Sequence, residues 1–155
     1  MAYDITVRHV AAQPLAAARE RMAAREIPAR FKVPLDKVWA FLKQHPELHA
    51  PHGHNVFLYR HDMGPQGEMT IDFGVQASRP FEAKGDVHCA MTPDGAVATT
   101  MHRGPYSGLK PAHEAIHAWA DANGRRIGGW SWEIYGDPTP DPQKTETEIL
   151  YLLAP

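Results

Sequence analysis

An internal echo narrows what this chain can fold into more than any single motif does. Val56–Tyr59 lies over Trp132–Tyr135, and Thr70–Phe73 over Thr147 and its neighbours, with equal spacing. Tyr59 then falls on Tyr135 and Asp72 on Glu148, each tyrosine standing thirteen residues before its acid. A period of about 75 residues is too long for a solenoid and implies two fused copies of one small unit. The 155 residues fit one domain, 1–155, made of pseudo-repeats at about 1–78 and 84–155.

Each copy reads as extended segments, a helix and a hairpin. Tyr3–Val10 alternates apolar Ile5 and Val7 with polar neighbours, as a half-buried strand does. The alanine-rich run Gln13–Met22 is short and begins at Pro14, so it continues as a second strand after a bend. Leu35, Val38, Trp39 and Leu42 have the i, i+3, i+4, i+7 spacing of a helix core face; the helix begins near Pro28 or at Pro34, Pro34 being the easier first residue of the main helix, and His45–Pro46 is the stop. Strands follow at Asn55–Arg60 and Met69–Val75. The second copy repeats the order: strands at Asp86–Met91 and Ala96–His102, then a helix over Gly108–Ala122 capped by Ser107 and stopped at Asn123–Gly124. Its buried stripe is Leu109, Ala112, Ile116 and Trp119. Strands with two helices and no regular βαβ alternation make an α+β fold of duplicated β-α-β-β units. An antiparallel sheet packing both helices on one face leaves a central ligand cleft between the pseudo-symmetric halves.

The last hairpin concentrates the chemistry. Trp130–Tyr135 and Glu146–Leu153 are strand-like runs joined by Gly136, Asp137, Pro138, Pro140, Asp141 and Pro142. Ser131, Glu133 and Tyr135 point one way, and Trp130, Trp132 and Ile134 the other. The hairpin sets Glu133, Glu146 and Glu148 beside Trp130, Trp132, Tyr135 and Tyr151. A carboxylate among aromatic rings suits a cationic or flat apolar ligand.

Other features are read against plainer roles. Hydrophobic residues at 43% and charged ones at 22% belong to a globular domain, and a formal charge of -2 leaves no basic footprint for nucleic acid. MAYDITVRHV holds no apolar run of signal or membrane length, so a cytoplasmic location is expected, without a membrane partner. The single cysteine, Cys89, reads as a buried strand residue. His113-Glu114-Ala115-Ile116-His117 is a literal H-E-x-x-H, the spacing that puts two histidines on one zinc. Its helix starts only about one turn earlier, and no downstream signature places a further ligand, so no metal site and no cofactor is expected. His45, His49, His52 and His54 read as a solvated loop, Trp39 and Trp119 as core, and no G-x-S-x-G occurs.

The ordered motifs HRGPYSGL at 102–109, WEIYGDP at 132–138 and TEI at 147–149 resemble the GyrI-like small-molecule-binding domain, the AraC-type effector-binding domain. IDFGV at 71–75 and the opening YDITVRHVAAQPLAAARERM add to the likeness, which spans essentially the whole chain. The resemblance implies a duplicated strand-helix-strand-strand fold and a cleft for hydrophobic, often cationic, compounds. In multidrug-responsive regulators of transcription such a domain is attached to a helix-turn-helix module; none fits here, so a stand-alone xenobiotic sensor or sequestering protein is expected.

The acid of WEIY carries over as the family's buried carboxylate, which makes Glu133 the first candidate. Its neighbours would be Tyr135, Glu148 and Tyr106, with Trp132, Trp130 and Tyr59 as aromatic walls. Burial beside those rings is expected to raise the Glu133 pKa. Some family members hydrolyse strained cyclopropane-containing xenobiotics. An enzyme of that kind would use Glu133 as general base, a tyrosine such as Tyr135, or Glu148, to polarise the substrate, and the tryptophans to hold it. A protein partner such as a topoisomerase rests on the family's name rather than on any residue here.

Overall fold

Strand register sets the architecture, and the helices follow from it. The computed structural model describes residues 3–155. Among them are strands β1 (Thr6–Val10), β2 (Pro14–Ala23), β3 (Asn55–Arg60), β4 (Glu68–Gln76), β5 (His88–Met91), β6 (Gly95–Arg103), β7 (Ile127–Tyr135) and β8 (Glu146–Leu153). They form one antiparallel sheet in the order β1-β6-β8-β7-β3-β4-β2-β5. Exchanging β1 with β5, β6 with β2, β8 with β4 and β7 with β3 reproduces this order from the other edge. The α+β class and the antiparallel sheet expected from the sequence are both present.

Residues directly opposite on antiparallel strands share a face. Phe57 opposes Phe73 on one side and Glu133 on the other, Glu133 opposes Ile149, and Tyr59 opposes Ile71 and Ser131. On this face lie the helices α2 (Lys32–Gln44) and α3 (Leu109–Ala122). Leu35, Val38, Phe41 and Leu42 of α2 join Ala16, Phe73 and Val75, while Ala112 and Ile116 of α3 join Ala98, Ile149 and Tyr151. Helix α2 packs on β2 and β4, and α3 on β6 and β8. The central pair β3 and β7 therefore floors a groove between the helices.

The other face carries Leu15, Val56, Leu58, Val97, Trp132 and Leu150, all buried without a helix over them. Chain crossings supply the cover. β1 and β2 are consecutive yet lie in opposite halves, as do β5 and β6, so residues 11–13 and 92–94 must each cross the sheet. They meet where the Gln13 amide donates to Thr92 Oγ1 and the Thr92 amide to Gln13 O, each at 2.9 Å.

Local expectations need four corrections. Helix α2 begins at Lys32, behind the short helix α1 (Ile27–Arg30), and Pro34 sits within its first turn, where a missing N–H costs nothing. Ser107 is not the cap of α3: Tyr106–Gly108 make a 3-10 turn and Gly108 caps the helix without a side-chain bond. Cys89 is half-buried because β5 is an edge strand. β1 is also an edge and is mostly exposed, with Val7 at 45%. The stop at Asn123–Gly124 falls where expected, Gly124 taking a φ of 63° that a side chain would disfavour.

Ile116 is fully buried where α3 meets the sheet. Ile116→Ala should lower unfolding stability by about 2–5 kcal/mol in a urea titration, through lost burial and the cavity left behind. A loss below about 1 kcal/mol would show that α3 is not held by this contact.

Candidate functional site

The site grows from β7. Alternation turns Ser131, Glu133 and Tyr135 toward the helices, as expected from the hairpin's spacing, and Glu133 lands in the groove floor opposite Phe57. Glu133 is 5% exposed, and three side chains hydrogen-bond its carboxylate. The Tyr59 hydroxyl donates to Oε1 at 2.6 Å, and the Tyr135 hydroxyl donates to the same oxygen. His113 Nε2 lies 2.6 Å from Oε2. A carboxylate only accepts, so Nε2 carries a proton. On its far side, His113 Nδ1 is 2.7 Å from the Tyr151 hydroxyl.

Aromatic rings pack around this core. Tyr135 meets Phe57 edge-on at 4.8 Å and Tyr106 edge-on at 5.4 Å. Tyr106 is 53% exposed. Tyr151 receives the edges of His61, His113 and His117 at 5.8, 5.6 and 4.9 Å. His61 Nε2 reaches Ser131 Oγ at 2.7 Å, and the His61 amide donates to Gly129 O. Gly129, with a φ of 88°, makes the bulge that shifts the register between Ile127 and Ser131. That shift changes which β8 residue Ser131 and Glu133 oppose and leaves the face they point to unchanged.

Electrostatics here differ from the sequence expectation. Burial does push the Glu133 carboxyl up, but the His113 hydrogen bond and charge, with the two phenols, outweigh it and hold the carboxyl below its usual range. The expected rise is thus reversed, because the sequence reading had no cation at this position. Burial, then the nearby Glu133 charge and its hydrogen bond, push Tyr59 well above its ordinary value. Tyr135 is raised likewise by burial, Tyr59 and Glu133. Burial and Glu133 lift Tyr151 to about 12. His61 is lowered, first by burial and then by repulsion from His117 and His113.

Of the candidates named from sequence, Glu133, Tyr135, Tyr59 and Tyr106 converge. Trp130, Trp132 and Glu148 do not: strand alternation turns them to the opposite face, so they cannot wall a pocket around Glu133. Trp132 packs with Leu58 and Leu150, and Trp130 lies under the Arg60 guanidinium at 5.5 Å. Glu148 accepts from Arg8 at 2.6 Å and from Thr99 at 2.9 Å. Its repeat counterpart Asp72 is bound in a similar way by Arg19 and His88. A cavity of about 250 Å³ opens on this side, with Arg8, Leu15, Val56, Trp132, Ile134 and Leu150 in its wall.

Sequence reasoning missed His113, weighing it only as half of a zinc pair. The signal was its place at the edge of the α3 stripe, one helix face from Ile116. Among the described residues, no group of three or more His, Cys, Asp or Glu side chains converges as metal ligands.

Comparison with known proteins agrees with this fold. A family model described as GyrI-like small molecule binding domain matches residues 3–153. No curated protein matches the chain. Among solved structures, the EcmrR C-terminal domain superposes with a TM-score of 0.82 at 19% identity, covering 99% of each chain. SAV2435 bound to tetraphenylphosphonium gives 0.70 at 13% identity, over 97% of this chain and 94% of that one. A hydrolase encoded by lin2189 from Listeria innocua gives 0.67 at 10% identity, over 97% and 91%.

A carboxyl held low in the folded state contributes stability that is complete above the ordinary glutamate pKa of 4.5 and is lost as pH falls through the depressed value. Urea unfolding of wild type and Glu133→Gln from pH 7 to 3 should therefore show the largest gap at the upper end. The gap should close on acidification; one that is constant with pH would refute the depressed pKa.

Proposed function

The chain belongs to the GyrI-like small-molecule-binding domain family, and from that premise we propose that its groove captures aromatic and lipophilic cationic compounds at Glu133. The observation that carries this reading is a carboxylate at 5% exposure, held ionised, with the rings of Tyr59, Tyr135, Phe57 and Tyr106 around or beside it. A desolvated anion and the negative faces of rings attract the same ligand, a flat or bulky cation whose charge is spread over apolar surface. Support comes from SAV2435, a structure of the same fold with tetraphenylphosphonium bound. The protein acts as a cytoplasmic sensor or sequestering module for such xenobiotics. With a formal charge of -2 it does not itself hold nucleic acid.

One observation favours a second reading. His113 bridges Glu133 and Tyr151, a carboxylate–imidazole–phenol chain able to move a proton, and a relative in fold is titled a hydrolase. In that case Glu133 takes a proton from water attacking a strained ring while Tyr135 polarises the substrate. The depressed Glu133 carboxyl is a weak base, so binding is the better supported of the two.

Because Trp130 and Trp132 face away from Glu133, the anisotropy of a lipophilic cationic dye is a better reporter than tryptophan fluorescence. Glu133→Gln should weaken dye binding by about tenfold or more, the equivalent of one desolvated ion pair worth at least about 1.4 kcal/mol, and leave neutral aromatics little changed. Equal dye affinity in both proteins would remove Glu133 from the site. Turnover of a cyclopropane-containing electrophile by wild type but not Glu133→Gln would establish the hydrolase instead.

A further inference from the structure

The groove already sets an imidazole against its carboxylate. His113 Nε2 sits 2.6 Å from Glu133 Oε2, and the two tyrosine hydroxyls occupy Oε1, so an arriving ligand meets a carboxylate that already has three hydrogen-bond donors. From this arrangement, and resting on the binding reading above, we infer that cationic ligands enter by exchange: binding beside Glu133 expels one proton from His113.

The geometry lets the proton leave without moving a ring. In the imidazolium form, Nε2–H donates to Glu133 and Nδ1–H donates to the Tyr151 oxygen at 2.7 Å. When Nδ1 gives its proton to solvent, the Tyr151 O–H turns and donates to the bare Nδ1, while Nε2–H keeps its bond to Glu133. One proton leaves and every hydrogen bond is retained. Tyr151, lifted to about 12, keeps its own proton throughout.

The titratable groups facing His113 act in two directions: Glu133 favours the imidazolium, while His61 and His117 repel it when protonated. Glu133 and Tyr135 lie toward it from β7, Tyr59 from β3 and His61 from just beyond the end of β3, Tyr151 from β8, and His117 from its own helix. Glu133 is the anion that favours the imidazolium in the empty site. A ligand cation shares that anion and repels the imidazolium, so both effects drive the proton off.

Linkage then fixes the pH dependence. Where the empty protein holds His113 charged and the complex holds it neutral, affinity for a permanently charged cation rises by up to about tenfold per pH unit. Where His113 is neutral in both the empty protein and the complex, the dependence vanishes. A neutral aromatic ligand, which leaves the Glu133–His113 pair intact, shows neither effect.

Calorimetric titration with tetraphenylphosphonium, which cannot titrate, tests this in two buffers of different ionisation enthalpy at pH 6 and pH 8. At pH 6, close to one proton should be released per cation bound, and affinity should increase toward pH 8. In His113→Gln, which keeps a donor for Glu133, release should fall to near zero and affinity should become nearly independent of pH. Binding without proton release in wild type, with the same pH profile in both proteins, would overturn the exchange while leaving the binding reading in place. Failure of both proteins to bind the cation would overturn that reading and the exchange with it. Should His113→Gln not fold, the wild-type proton count decides, together with the ¹⁵N shifts of His113 before and after saturation. A neutral His113 in the empty protein at pH 6 overturns the proposal.

Discussion

A charge buried in the floor of the groove is the constraint the rest of the structure answers. Removing a carboxylate from water costs several kcal/mol unless other groups replace the lost hydration. Glu133 recovers it from three elements at once: phenols on β3 and β7 and an imidazole from α3. Each donor is itself held. Tyr135 is wedged between Phe57 and Tyr106, and His113 is tied back to Tyr151, whose ring is crowded by His61 and His117. Truncating any one donor leaves a buried anion short of a partner, which makes the cluster a unit rather than a sum of contacts.

The duplication supplies the scaffold and a departure from it supplies the function. Tyr59 and Tyr135 are counterparts in the two halves, and the central β3–β7 pairing brings both hydroxyls onto a single oxygen. The carboxylate they share has no counterpart. The residue paired with Glu133 across the centre of the sheet is Phe57, which packs against Phe31 and Phe73. One half contributes an aromatic floor and the other a charge. The acids that do correspond, Asp72 and Glu148, lie on the opposite face in ion pairs with arginines. They secure neighbouring strands and take no part in the groove.

Much of this was legible beforehand. Period-two alternation in WSWEIY assigned Glu133 and Tyr135 to one face and both tryptophans to the other, because pleated backbone leaves no choice in the matter. Helix stripes in both halves were readable for the same kind of reason, and the family motifs singled out Glu133. Grouping Trp130 and Trp132 with Glu133 goes against that alternation, whereas the face of Glu148 is set by the β7–β8 register that puts it opposite Ile134. His113 illustrates a different limit. It lies twenty residues from Glu133 in the chain, and nothing local tells which strand its helix face will meet.

What the sequence determined by itself was therefore local and periodic: two copies of a small α+β unit, the strands and helices within them, and the identity of the central acid. Only the folded sheet decided that acid's partners, its ionisation and its depressed pKa. The reason is that an electric interaction depends on separation in space. The lengths between Tyr59, His113, Glu133 and Tyr151 are set by strand order β8-β7-β3 and by the seating of α3. Those are long-range pairings, and no window of sequence contains them.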